Sequence, residues 1–516
     1  MARRVSELRS GFIGMWALAL LLSAPIVLAT DWPAFGNDPG GSQHSALTQI
    51  DKKNVRQLKR VWTHRSGDVV DAPAPNGTIL QTTPLRVNDT LYFCTPLNRV
   101  FALDSRSGRE RWIFDPHREG ISSAPDRPMR CRGVAYWAAS TESQATTCTR
   151  RIFRNGDAGR LYALDADTGK RCADFGKSTG HAGWVSHHDY ENHGEGILAA
   201  STSPPAVIGD LVISAMMVND GIANAKDGMV RAFDVRTGEL RWEFNPIPAE
   251  YRDRSGAANV WSTISVDVEH QLVFLPTTSP STDYYGGGRR FNLPLANSIV
   301  ALDARNGKVV WSKQVVHHDI FDYDLVGHPL LVDIQRDGKT IPAAVLQTKM
   351  GWLFGFNRLT GEPLWPIVEQ AVPKSDVPGE LASRTQPVPK GMAPFARQTL
   401  TRDSLFGLTP LDRLACRRLA ALAGELHVSP RIAFCRCGLC ARRGRRVPGR
   451  TTAAGRHHRA DLRHLAPGLG TGPVHSRAAT SDAGDQRPVP DGPACAGGPA
   501  QPRRAWWYRC HRTKPD

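Results

Sequence analysis

Five times along the chain, an apolar run of strand character ends at Asp or Asn, reaches a Gly four residues later, and resumes toward an aromatic position four residues beyond that. The copies are Leu103-Asp104, Gly108 and Trp112; Leu164-Asp165 and Gly169; Phe233-Asp234, Gly238 and Trp242; Leu302-Asp303, Gly307 and Trp311; and Phe356-Asn357, Gly361 and Trp365. In the second copy Ala173 takes the Trp position. Each copy predicts two antiparallel strands joined by a tight turn. The Asp or Asn side chain caps that turn, and Gly accepts positive φ at little steric cost. Successive copies lie 61, 69, 69 and 54 residues apart, longer than the roughly 40–50 residues of a minimal propeller blade, which leaves room for insertions. A hairpin cannot bury an indole by itself, so the repeated Trp is expected to dock on a neighbouring repeat, as blades would allow. The pattern therefore predicts an all-β repeat fold.

The N-terminus breaks this pattern. Arg3, Arg4 and Arg9 precede an apolar run from Phe12 to Leu28 and the small residue Ala29. That order predicts a signal peptide over residues 1–29 with cleavage near Ala29, and hence an exported, periplasmic protein. The run is also close to bilayer-spanning length, so an uncleaved anchor is the alternative. No later stretch is long and apolar enough to span.

The formal charge of +16 suggests a polyanionic partner until its location is considered. Residues 417–516 carry 19 Lys and Arg against 6 Asp and Glu, leaving only +3 for residues 1–416. The body gives no sign of nucleic-acid binding. That last stretch also holds ten Pro and twelve Gly without strand-like alternation. A basic binding tail and plain disorder are two readings; out-of-frame translation of a GC-rich gene, beginning near Cys416, accounts better for so much Arg with a single Lys. Cys435, Cys437 and Cys440 lack a second pair at zinc-site spacing.

Cys94, Cys131, Cys148, Cys172 and Cys416 lie in the body, where export permits disulfides; Cys131 with Cys148 is a plausible pair, although sequence alone does not settle pairing. No Cys-x-x-Cys-His occurs, so covalent haem is not expected.

Candidate chemistry concentrates in His317-His318-Asp319-Ile320-Phe321-Asp322-Tyr323-Asp324, after the fourth copy. Its carboxylates and imidazoles suit a metal site, a general base or a solvated loop. Lys349, between apolar segments, reads as a surface lysine or a site cation. Asn219-Asp220-Gly221 offers oxygen ligands for a hard cation such as Ca²⁺ or Mg²⁺, and equally an ordinary turn. Trp261 is a stacking floor or a core indole, and Tyr284-Tyr285 with Gly286–Gly288 reads as an entrance loop. Phosphate-loop, dinucleotide and Gly-x-Ser-x-Gly signatures are missing.

With these motifs in hand, the chain resembles the pyrroloquinoline quinone (PQQ) dependent dehydrogenases, in particular the membrane-associated glucose and quinate dehydrogenase branch. The resemblance runs from about Asp31 to Cys416. It includes Asp31-Trp32-Pro-Ala-Phe-Gly36-Asn37, the Trp repeats, Cys131-Arg132-Gly133-Val134, the His317–Asp324 stretch, Thr348-Lys349-x-Gly351, and Phe406-Gly407 through Cys416. It implies an eight-bladed β-propeller over residues 31–416, incomplete at the C-terminus, with non-covalent PQQ and a divalent cation. It further implies Asp322 as the catalytic base, Lys349 and Trp261 as cofactor contacts, Ser281 as a hydroxyl near the cofactor, and Asp220 as a metal ligand. The substrate would be a sugar, polyol or alcohol, glucose-like or quinate-like, with electrons passing to a quinone or a separate cytochrome, possible membrane-surface association, and no nucleic-acid partner. Trp137 stands where sugar-oxidising relatives carry His, which counts against glucose. A non-enzymatic exported scaffold, or an inactive truncated quinoprotein, is the alternative.

Overall fold

The computed structural model describes residues 31–69, 78–120, 130–140, 148–196, 198–200, 202–398, 405 and 407–422. All belong to the unit Met1–Ala454. The expected signal peptide and the tail beyond Leu422 lie outside the described residues.

Five antiparallel sheets follow one another along the chain. The first joins β1 (Leu85–Val87), β2 (Thr90–Cys94), β3 (Val100–Asp104) and β4 (Glu110–Phe114). The second joins β5 (Ala135–Ala138), β6 (Arg150–Asn155), β7 (Arg160–Asp165) and β8 (Trp184–Ser186). In the third, β9 (Leu198–Ala200) extends β11 beside the meander β10 (Ala206–Ile208), β11 (Leu211–Val218), β12 (Val230–Asp234) and β13 (Leu240–Phe244). The fourth holds β14 (Ser265–Asp267), β15 (Leu272–Pro276), β16 (Ser298–Asp303) and β17 (Val309–Gln314); the fifth holds β18 (Leu330–Arg336), β19 (Lys339–Gln347) and β20 (Leu353–Asn357). A hairpin of β21 (Ile367–Ala371) and β22 (Thr385–Pro389) follows, then one helix, α1 (Pro410–Leu422). The composition break seen at Cys416 falls within α1.

Each repeated turn joins the third strand of a sheet to the fourth, or in the fifth sheet to the segment carrying Trp365, because Asp104, Asp165, Asp234, Asp303 and Asn357 close β3, β7, β12, β16 and β20. Their carboxylate or amide oxygens accept from the backbone N–H two residues on, and in all but Asp303 also from the one three residues on. The indole N–H of Trp112 donates to Ala166 O at 2.9 Å, that of Trp242 to Ala304 O at 2.7 Å and that of Trp311 to Arg358 O at 3.0 Å. In each case the acceptor follows the capping residue of the next sheet. The same three rings cover Gly169, Gly307 and Gly361 so closely that a Cβ there would collide with them.

Between the second and third sheets, where Ala173 replaces Trp, Arg151 donates instead to Arg236 O and Gly176 N to Thr237 O. Trp62 lies against Gly108 in the same way as the repeated indoles. Sequence reasoning missed it because no Asp-to-Gly turn precedes it. Trp365 packs over Gly355 of its own sheet and near Gly391.

First strands of successive sheets meet, β5 with β10, β10 with β14, and β14 with β18. Apolar clusters fill each interface from the first sheet to the fifth. The disulfides are Cys94–Cys131 and Cys148–Cys172, not Cys131–Cys148. Cys94 ends β2 and Cys131 precedes β5, so the first pair ties adjacent sheets; the second closes a loop within one sheet. Trp137 sits among Phe153, Phe175 and Val185 with the Arg236 guanidinium 4.8 Å from its ring, as a core indole.

Candidate functional site

In an antiparallel meander, turns one–two and three–four lie at one end of the sheet, while turns two–three and exits from strand four lie at the other. The capped Asp-to-Gly turns therefore occupy one end. Asp220 follows β11, Ser279 through Tyr284 follow β15 and Lys349 follows β19, while Trp261 and the His317–Asp324 stretch follow β13 and β17. All of these emerge at the opposite end, although the sequence scatters them over 130 residues.

Lys349 is the hub of the site. Its side chain is 1% exposed, and its Nζ donates to Asp322 Oδ1 at 3.0 Å, to Asp322 O at 2.9 Å and to Asp324 Oδ2 at 2.7 Å. The surface-lysine reading is thus excluded, as is the solvated-loop reading of its partners, since Asp319, Asp322 and Asp324 are all buried. Asp322 takes a left-handed backbone conformation, φ 57°, uncommon outside Gly. Tyr284 Oη donates to the other carboxylate oxygen, Asp322 Oδ2, at 3.0 Å.

Trp261 joins this cluster through its indole N–H, which donates to Asp324 Oδ2 at 3.3 Å, and Lys349 Nζ lies 5.8 Å from the ring centre. The guanidinium of Arg132 lies 5.2 Å from the same ring. Among the described residues no carboxylate forms an ion pair with Arg132, and burial, reinforced by Arg130, pushes its pKa down to about 10. Sequence reasoning gave Arg132 no role of its own. A single Arg beside a Cys has no local signal for burial over an aromatic face.

Asp220 and Asp283 complete the acidic group. Asp283 N donates to Asp220 O and Asp322 N to Asp283 O, stacking three carboxylate-bearing loops. The Asn219–Gly221 turn is present, with Asn219 Oδ1 accepting from Gly221 N; it is the turn that carries Asp220 into the cluster. Burial, followed by repulsion from Asp324, pushes Asp220 up to about 7 and Asp322 up to about 9. Burial, followed by repulsion from Asp220 and Asp324, pushes Asp283 up to about 8. Asp319 is also raised, chiefly by burial. Burial works against the ionised form of Asp324 as well, but Lys349 and its hydrogen bonds outweigh it and hold that carboxyl below its ordinary value. Four buried acids and the half-buried Asp220 therefore share two buried cations, Lys349 on Asp322 and Asp324 and Arg289 near Asp319 and Asp283. Such a donor set, all oxygen and short of positive charge, fits a hard divalent cation.

Ser281 and the two imidazoles have partners of their own. Ser281 is buried beside Asp283, but its hydroxyl donates to Ala223 O at 3.0 Å and accepts from Gly256 N at 2.9 Å. It staples the Asp220 loop to its neighbour. The imidazoles stay outside the acid cluster: His317 bonds Gln314 and Glu369, while His318 reaches Gly286 O.

Sheets in tandem, apolar interfaces between them, and a buried acid–ammonium–indole centre at the end away from the repeated turns define a β-propeller of the quinoprotein dehydrogenase kind. The family model of the PQQ glucose/ethanol/alcohol dehydrogenase β-propeller domain matches residues 32–429, and the chain belongs to that family. It is 38% identical over 434 residues to the quinate/shikimate dehydrogenase (quinone) of Acinetobacter baylyi, covering 78% of this chain and 52% of the relative. It is 34% identical over 423 residues to quinoprotein glucose dehydrogenase A of Acinetobacter calcoaceticus, covering 77% and 52%. The chain thus spans about half the length of these relatives. The quinohemoprotein alcohol dehydrogenase of Comamonas testosteroni shares the fold, with a TM-score of 0.54 at 23% identity over 71% of this chain and 53% of that one.

Proposed function

We propose that the chain serves PQQ-dependent oxidation of a CH–OH group in a sugar, polyol or alcohol, with quinate-like and glucose-like substrates as the leading classes. The observation that carries this reading is the Lys349 bridge between Asp322 and Asp324 beside the face of Trp261. Trp261 offers a flat surface for a planar quinone, and Arg132 offers a half-buried cation to its carboxylates. Asp220 and Asp283 would hold Ca²⁺ or Mg²⁺, whose charge returns the neighbouring acids to their ionised forms. When bound, PQQ supplies the two-electron acceptor that no side chain can provide.

The chain's own contribution is proton handling and placement. Asp322 Oδ2, on the side shared with Tyr284, takes the substrate's hydroxyl proton, while Lys349 restrains Oδ1 and keeps the carboxylate oriented. Burial excludes water from the base. Electrons would leave to a quinone or a separate cytochrome in an exported, periplasmic setting, with residues 1–29 as the export signal.

The test is reconstitution of the purified full chain with PQQ and Ca²⁺ or Mg²⁺, using an artificial acceptor and quinate, glucose and simple alcohols. Turnover with one of these is expected, and Asp322→Asn should reduce it by roughly 10²–10⁴-fold with PQQ still bound. Undiminished turnover in Asp322→Asn would remove Asp322 from the role of base.

A further inference from the structure

Trp261 is held from both sides. Its ring N–H meets Asp324, and its carbonyl accepts from Ser203 Oγ at 2.9 Å. Behind Ser203 runs a continuous row of buried polar groups that reaches a half-exposed carboxylate. Glu243 accepts from Arg231 Nε at 3.1 Å, and Glu191 O accepts from Arg231 Nη2 at 2.7 Å. The third guanidinium nitrogen, Nη1, lies 3.2 Å from His187 Nδ1.

The direction of each link as far as Asn155 follows from that contact. Guanidinium has donors only, so His187 Nδ1 accepts, and the imidazole is neutral with its proton on Nε2. Nε2–H then donates to Ser214 Oγ at 2.8 Å, and the single hydroxyl proton of Ser214 goes to Asn155 Oδ1 at 2.7 Å. This fixes the Asn155 amide, whose Nδ2 donates to Ser203 O at 3.0 Å. Burial, with Arg231 beside it, independently holds His187 in the neutral form.

The row draws on β12, the turn after β8, β11, β6 and the segment between β9 and β10. Arg231, His187 and Ser214 are fully buried, and Ser203 and Asn155 nearly so. Burying so many polar groups is costly unless each is satisfied; the row satisfies them in one orientation up to the Ser203 carbonyl, and the Ser203 hydroxyl then donates to Trp261 O, which also accepts from Arg132 Nη1 at 3.4 Å.

We propose that Arg231, His187, Ser214, Asn155 and Ser203 are positioning residues, a directional hydrogen-bond row that fixes the height and tilt of Trp261 and thereby the affinity of the site for a planar cofactor. The proposal rests on the reading of Trp261 as the surface on which PQQ lies.

The experiment measures PQQ dissociation by equilibrium dialysis with Ca²⁺, and the induced circular dichroism of bound PQQ, in the full-length chain. The variants are Ser214→Ala, Ser203→Ala, the double variant and Ser214→Thr, with Ser298→Ala as a control. Ser298 is equally buried and donates to backbone carbonyls at 2.9 Å, away from the row. Each single Ala variant should weaken PQQ roughly tenfold and change the dichroism, and the double should be no weaker than the worse single. Ser214→Thr should restore binding, and Ser298→Ala should lower the urea midpoint without moving affinity or dichroism. Wild-type affinity in Ser214→Ala and Ser203→Ala, or effects that multiply in the double, would overturn the row. If Ser214→Ala does not fold, Ser203→Ala alone decides, since it removes only the last link. No PQQ binding by the unmutated chain would overturn the functional reading and this proposal with it.

Discussion

The two ends of the sheets are built on opposite principles. At one end the same turn is made five times, and neighbouring sheets are joined by indoles lying on glycines, with Arg151 substituting once. At the other, no motif repeats: Asp220, Trp261, Asp283, the Asp322–Asp324 pair and Lys349 come from five loops of different length and sequence. The first end is held by shape and apolar contact, which tolerate repetition. The second gathers acids in a buried space, which is tolerated only through bound protons, Lys349 or a cation. Removing one contact should therefore be felt very differently at the two ends.

Lys349→Met sets the upper limit. It keeps the length of the side chain and removes the one ammonium that both Asp322 and Asp324 contact. Leaving buried carboxylates without their partner should lower the unfolding free energy by about 3–5 kcal/mol, measured by urea denaturation at pH 8 without divalent ions. Adding Asp324→Asn to Lys349→Met should recover part of the loss. A loss below about 1 kcal/mol would mean that the ion pair contributes little beyond a surface bridge, and the contrast between the ends would collapse.

Proton titration separates the ends without any substitution. Asp220, Asp283 and Asp322 carry raised values of about 7, 8 and 9, whereas an unfolded Asp titrates near 3.9. Between about pH 4 and pH 9 the folded state keeps protons that the unfolded state has lost. The metal-free protein should therefore lose stability as pH rises through that window. Ca²⁺ lowers these values and should flatten the slope. Thermal midpoints from pH 5 to 9, with Ca²⁺ and with a chelator, test this; a slope that Ca²⁺ leaves untouched would mean the cation binds elsewhere.

Legibility in the sequence divides along the same line. The turns were readable because Asp, Gly and Trp recur at fixed spacing, and the spacing enforces the geometry. Trp62 escaped because its partner, Gly108, belongs to the following copy while no turn precedes the indole itself. At the other end, Asp322 and Lys349 stood out as candidates, but only the family resemblance gave each a single role. Composition left Lys349 between surface and site and the His317–Asp324 stretch between metal site, base and solvated loop, because burial of charge depends on loops that meet only after the sheets have aligned. Asp283 and Arg132 gave no local signal, and nothing in a Ser-Thr-Asp stretch says that two backbone groups will meet the Ser281 hydroxyl.

The smallest expected effect isolates the shape term at the repeated end. Gly307 and Gly338 have nearly the same backbone, φ +70° and +72°, so replacing either by Ala forces a side chain into the left-handed region at about 1–2 kcal/mol. They differ in surroundings. A Cβ at Gly338, in the β18–β19 turn, meets nothing within 4 Å, whereas at Gly307 it would lie 2.7 Å from the Trp242 ring. Gly307→Ala must therefore also displace the indole, adding about 1–3 kcal/mol of overpacking. The difference between the two urea midpoints reports that addition alone. If the two variants lose the same stability, Trp242 is free to move off Gly307, and the repeated glycines are kept for backbone conformation only.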